Sequence, residues 1–87
     1  MRNITTVNEL TVNWLYSITS KFYELNGLYY YMGKSTTEKN KVLFVEKGRP
    51  AHAGRYLYMT YTPVRKKLKW FKDTKMLETL DFRIREE

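Results

Sequence analysis

Residues 6–27 read Thr6-Val7-Asn8-Glu9-Leu10-Thr11-Val12-Asn13-Trp14-Leu15-Tyr16-Ser17-Ile18-Thr19-Ser20-Lys21-Phe22-Tyr23-Glu24-Leu25-Asn26-Gly27, and two periodicities compete in them. Val7, Leu10, Trp14, Ile18, Phe22 and Leu25 recur every three or four residues, which is the spacing of one apolar stripe on a helix. Thr6-x-x-Glu9 stands where a hydroxyl and a carboxylate satisfy the free amides of a helix start, and Gly27 suits the left-handed residue after a last turn. Against the helix, Leu10, Val12, Trp14, Tyr16 and Ile18 alternate, and β-branched residues are dense. Asn26-Gly27 also reads as a two-residue hairpin turn in the competing strand reading. The helix is the preferred reading of residues 7–25, with strands as the competing one.

Beyond Gly27, short Tyr- and Val-rich segments are separated by polar or Gly/Pro punctuation, which predicts strands. Five are expected: Leu28–Met32, Lys41–Glu46, Arg55–Thr62, Lys66–Lys72 and Met76–Arg85. In the third, Leu57, Met59 and Tyr61 share one face, and Tyr56, Tyr58 and Thr60 the other. The last places Leu80, Phe82 and Ile84 inward, with Asp81, Arg83 and Arg85 outward. Pro63 in Thr62-Pro63-Val64-Arg65 fixes φ for a tight turn, so the third and fourth strands form a hairpin. The expected fold is α+β: an N-terminal amphipathic helix packed on a four- to five-stranded antiparallel sheet, with an all-β small barrel or sandwich as the alternative.

The chain has 87 residues, 43% hydrophobic and 16% aromatic, which fits one folded domain over residues 1–87 and argues against disorder. Cysteine is absent, which closes disulfide and thiolate chemistry and fits a reducing cytoplasm. The longest apolar runs, such as Leu28 to Met32, are too short for a signal peptide core or a membrane span, so no membrane partner is expected. The net charge of +7 is unevenly spread. Residues 1–38 are neutral, residues 39–75 carry +9 and residues 76–87 carry −2. A polyanionic or acidic partner is expected from that middle block.

Within the block, Arg65-Lys66-Lys67-Leu68-Lys69-Trp70-Phe71-Lys72 interleaves cations with flat rings. Cations meet phosphates and an exposed ring stacks on a base, a contact worth about 1–3 kcal/mol. An edge strand guarded by lysines, with Trp70 in the core, is the structural reading of the same residues. The loop Lys47-Gly48-Arg49-Pro50-Ala51-His52-Ala53-Gly54-Arg55 adds planar donor forks from Arg49 and Arg55 and a ring from His52. Beside the basic hairpin it is expected to form one continuous positive groove, with Tyr58 from the aromatic strand. Tyr56-Leu57-Tyr58-Met59-Thr60-Tyr61 partly resembles the stacking strand of RNA-recognition motifs. It departs from that pattern at Leu57, where a small residue is usual, and in the order Gly54-Arg55. The candidate nucleic-acid contacts are therefore Lys47, Arg49, His52, Arg55, Tyr58, Arg65, Lys66, Lys67, Lys69, Trp70 and Lys72.

Enzymatic signals are sparse: His52 has no partner histidine, and no metal-ligand spacing, Gly-rich phosphate loop or Gly-x-Ser-x-Gly elbow occurs. No catalytic residue, metal or cofactor is expected. The usage of Lys, Tyr, Thr and Asn in Tyr29–Ser35 and Thr62–Trp70 resembles that of the small basic host-takeover proteins of T-even phages. That resemblance implies counter-defence, through binding RNA and a host ribonuclease toxin of a toxin–antitoxin system. The expected function is non-enzymatic RNA binding through a basic groove with interleaved aromatics. The alternative is a protein-interaction inhibitor whose basic surface blocks an acidic or nucleic-acid-binding site of a host protein. A homodimer is among the expected assemblies, since an aromatic-rich sheet on a short chain leaves apolar surface to cover.

Overall fold

The computed structural model describes residues 3–20, 26–48, 55–69 and 82–87. Over these the chain is almost entirely β. The strands are β1 (Leu15–Ser20), β2 (Gly27–Lys34), β3 (Lys41–Glu46), β4 (Tyr56–Tyr61), β5 (Leu68–Lys69) and β6 (Phe82–Glu86). They form one antiparallel sheet in the order β5-β4-β3-β2-β1-β6.

The expected N-terminal helix on a sheet is overturned, because the described part of residues 7–25 contains one 3-10 turn, Val7–Glu9, and then strand β1. The start signal itself is real. The Glu9 carboxylate accepts from the Thr6 N–H at 3.2 Å and from the Thr6 hydroxyl at 2.9 Å. Starting a helix costs more than extending one, and a single capped turn leads here into Thr11 and Val12, which resist helical rotamers. Asn13 then takes a left-handed φ of 71° and donates to the Tyr31 carbonyl, which turns the chain into the sheet. From there the alternation of Tyr16 and Ile18 prevails, and both are buried on the inner face of β1. Residues 21–25 lie outside the described residues.

The strands expected beyond Gly27 form with modest changes. β2 extends to Lys34 through a bulge between Tyr31 and Gly33, where Gly33 adopts a φ of +103° that a side chain would strain. β3 has the expected bounds, and β4 buries Leu57 and Met59 while exposing Tyr56 and Tyr58. β4 and β5 pair as the hairpin around Pro63. Its turn closes with the Lys66 N–H on the Thr62 carbonyl at 2.9 Å and the Lys67 N–H on the Thr62 hydroxyl at 3.0 Å. β5 is shorter than expected among the described residues; Trp70, Phe71 and Lys72, and residues 76–81 of the last expected strand, lie outside them. In β6, Ile84 is buried, Phe82 half-buried, and Arg83 and Arg85 exposed.

The sheet curls into a half-barrel, and the N-terminal segment spans its open side. The Ile4 N–H donates to the Ile84 carbonyl at 2.8 Å, which ties the segment to β6. On the other edge the Leu68 N–H donates to the Thr5 carbonyl at 2.8 Å, and the Val7 N–H to the Lys66 carbonyl at 2.9 Å. Both edge strands thus have polar backbone groups engaged, which removes a template for aggregation. Ile4 and Val7 drop into the same core as Tyr16, Ile18, Tyr29, Tyr31, Val42, Phe44, Leu57, Met59, Leu68 and Ile84. Aromatic rings fill the interior, with Tyr31 and Phe44 tilted against each other at 5.3 Å between centroids. The Tyr16 hydroxyl accepts from the Thr11 N–H at 2.8 Å, so a polar end of the core is satisfied by the loop above it.

These contacts set the expected stability effects. Ile84→Ala removes a fully buried side chain from the strand that the N-terminal segment grips, and is expected to lower the unfolding free energy by about 2–5 kcal/mol in urea titration. Val64→Ala, at a residue 90% exposed in the hairpin turn, should stay within about 0.5 kcal/mol. Burial pushes the phenols of Tyr29 and Tyr31 above their ordinary range; at Tyr29 the nearby Arg55 opposes this and Glu46 adds to it, and at Tyr31 the Tyr61 and Tyr16 phenols add to it. The folded state therefore holds these protons more tightly than the unfolded chain. Their contribution is complete below the unfolded phenol range and is lost as pH rises above about 10. Denaturation midpoints measured from neutral to strongly alkaline pH should fall in that window, and fall less in Tyr31→Phe.

Candidate functional site

With the inner face consumed by the core, the outer face of the sheet carries an unusual load of apolar side chains. The registers align Leu15, Tyr30, Val45 and Tyr56 in one row across four strands, and Leu43 with Tyr58 in the next. Tyr56 and Tyr58 are 54% and 52% exposed, and Leu28 and Met32 of β2 are also open to solvent on this face. Within the row Tyr56 is exposed and Leu15, Tyr30 and Val45 are half-buried, so the face carries a partly open apolar strip rather than isolated exposed hydrophobes.

Cations border this face. Lys41, Thr60 and Lys69 form the row next to Leu43 and Tyr58, and the Lys41 ammonium lies 5.8 Å from the centre of the Tyr58 ring. On the opposite edge Arg83 and Arg85 pair with Thr19 and Ser17. Lys41 also pairs with Glu38, whereas Lys69, Arg65 and Lys67 have no carboxylate partner among the described residues.

The expected site residues divide between the two ends of β4. Lys47 and Arg55 flank the β3–β4 connection, while Arg65, Lys66 and Lys67 lie on or beside the β4–β5 turn. Six strand residues at about 3.3 Å each separate those ends. The described flanks of the basic loop therefore do not come beside the basic hairpin. Arg49, His52, Trp70 and Lys72 lie outside the described residues. Arg55 is engaged in structure: its Nε donates to the Glu46 carboxylate at 3.0 Å, and its guanidinium also reaches the Asn26 carbonyl at 3.5 Å. Glu46, with its side chain 8% exposed, pairs with Arg55 at that end of β4. Tyr58 stands open on the outer face.

Arg65, Lys66, Lys67 and Lys69 instead gather with cations from an earlier part of the chain, outside the expected set. The β2–β3 loop opens on the same end, which brings in Lys34, Lys39 and Lys41. The Tyr61 N–H donates to the Asn40 carbonyl at 2.9 Å and pins that loop to β4. A hairpin between the strands expected at Leu28–Met32 and Lys41–Glu46 was the signal that would have placed these lysines beside Arg65–Lys69.

Among the described residues no group of His, Asp and Glu is arranged to hold a metal ion, and no helix is long and apolar enough to cross a membrane. Comparison with protein-family models, curated proteins and solved structures finds no match to this chain.

Tyr56 and Tyr58 lie outside the buried core. Tyr56→Thr combined with Tyr58→Thr retains strand-forming residues and is expected to change stability by no more than about 1 kcal/mol. The same variant should bind visibly less of an uncharged apolar fluorescent dye than the parent chain.

Proposed function

We propose that the chain is a non-enzymatic inhibitor module that docks this outer face, with its bordering cations, on an acidic-rimmed apolar surface of another protein. The observation that carries the reading is the row Leu15, Tyr30, Val45 and Tyr56 with Lys41 and Lys69 on one border and Arg83 and Arg85 on another. Exposed Tyr and Met are enriched in protein contacts, and Tyr buries much area with few rotatable bonds to fix. The cations supply the complementary rim, which steers encounter with a negative surface and fixes the docking orientation. Aliphatic Leu15, Leu28, Met32, Leu43 and Val45 alternate with the rings, and they offer nothing to a base stack or a phosphate. RNA binding is the second reading, favoured by the pairing of Lys41 with the exposed ring of Tyr58.

Affinity capture from host lysate distinguishes the two. A specific protein complex is expected to survive nuclease digestion, weaken with added salt and disappear for the double variant Lys41→Glu, Lys69→Glu, because like charges opposed across an interface repel strongly. Loss of the captured protein on digestion, with retention of RNA by the undigested chain, assigns the surface to RNA instead. Capture that the double variant leaves unchanged shows that this face is not the interface.

A further inference from the structure

The outer face runs on past Lys69 to a corner at the β4–β5 turn. Lys67 and Lys69 flank the buried Leu68, so strand alternation turns both onto the outer face, where Thr62 and Thr60 stand opposite them on the β4 side. At this corner an open hollow of about 430 Å³ is lined by Thr62, Pro63, Val64, Arg65, Lys67 and Lys69. Lys69 also belongs to the row that borders Leu43 and Tyr58, so the hollow adjoins the docking face.

Charge and surface chemistry in the hollow point the same way. Arg65, Lys67 and Lys69 are exposed and have no carboxylate partner among the described residues, and no acid is among the residues that line the hollow. Pro63 and Val64 give it apolar wall, and Val64 is 90% exposed. No ring is among its lining residues, so a nucleobase has nothing to stack on here. The turn itself is set by other groups. The Lys66 and Lys67 N–H groups donate to the carbonyl and hydroxyl of Thr62, and the Thr62 N–H donates to the Lys67 carbonyl at 3.0 Å. None of these bonds uses the side chain of Arg65, Lys67 or Lys69. The turn thus presents three cations beside apolar surface without using their charge.

Resting on the docking reading, we infer that this hollow anchors the acidic rim of the partner, which presents to it an extended segment with acidic side chains at alternate positions. Lys67 and Lys69 lie two residues apart on one face, which spaces them by about 6.6 Å along the strand. Acidic residues two apart in an extended segment share a face at the same spacing. Each carboxylate therefore meets its own ammonium, and no single anion has to satisfy both. Arg65 at the turn receives a further carboxylate through its planar donor fork. The body of the segment covers Pro63 and Val64 and removes their apolar surface from water. Contiguous acids turn half of their carboxylates to the far side and lose those pairings.

Nuclear magnetic resonance titration of the full chain tests the hollow with three probes at matched ionic strength. They are a short peptide in which glutamate and serine alternate, a peptide of the same composition with its glutamates contiguous, and an oligouridylate of equal charge. Saturable shifts centred on the amides of Thr62 and residues 64–69 are expected with the alternating peptide and should fade with added salt. The contiguous peptide should bind at least about threefold more weakly. The double variant Arg65→Gln, Lys67→Gln, which keeps Lys66 and every backbone bond of the turn, should bind the alternating peptide about tenfold more weakly. Lys47→Gln, beyond the other end of β4, should bind as the parent does. Shifts that never saturate, equal binding of the two peptides, tighter binding of oligouridylate, or binding undiminished in the double variant overturns the assignment. In affinity capture, a partner lost with Lys41→Glu, Lys69→Glu but retained in full by Arg65→Gln, Lys67→Gln leaves the docking face standing and overturns the hollow alone. An unchanged amide spectrum elsewhere in that last variant shows that loss of binding is not loss of fold.

Discussion

The structure depends on the hydrogen bonds by which residues 3–7 join the two edges of the curled sheet. Without them β6 and β5 each present an open edge, and the core lies uncovered along one side. With them Ile4 and Val7 complete the interior, and the carbonyl of Lys66 is held in place by the amide of Val7. One short segment thus supplies core, edge protection and the anchorage of the basic turn. A chain of this length has little core to spare, so a closure that engages backbone and side chains together carries large weight.

Closure also decides where function can reside. Among the described strand residues, inner positions are filled by tyrosine, phenylalanine, methionine and aliphatic residues, while Leu15, Leu28, Tyr30, Met32, Leu43, Val45, Tyr56 and Tyr58 alternate onto the outer face. Charge obeys the same geometry. The Glu46–Arg55 pair lies at one end, while the other end gathers Lys34, Lys39, Lys41 and the Arg65–Lys69 stretch. An apolar face bordered by cations is therefore a consequence of the fold.

Much of the sheet was legible in the sequence, and the reasons are local. Alternation of Leu57 and Met59 against Tyr56 and Tyr58 states which side of β4 is buried, because side chains in a strand alternate strictly. Pro63 marks the hairpin for an equally local reason. The N-terminal region was misread because its helix-start chemistry is genuine: Thr6 and Glu9 do form their contacts, but the turn they cap is too short to propagate through Thr11, Val12 and Asn13. Closure by the N-terminal segment was not legible, since pairing Thr5 with Leu68 joins residues far apart in the chain and leaves no periodic trace. The basic cluster was half legible. Grouping cations by contiguity along the chain found Arg65–Lys69 but joined it to the loop at the wrong end of β4, whereas strand register brings Lys41 level with Thr60 and Lys69.

The closing segment is open to direct measurement by native-state hydrogen exchange at single amides. If residues 3–7 bind both edges as a structural strand, the amides of Ile4, Val7 and Leu68 exchange only on global unfolding, with protection matching that of Phe44 and Ile18 in the central strands. Exchange of those three amides at rates close to those of the exposed hairpin turn, while the central strands stay protected, contradicts a closed half-barrel.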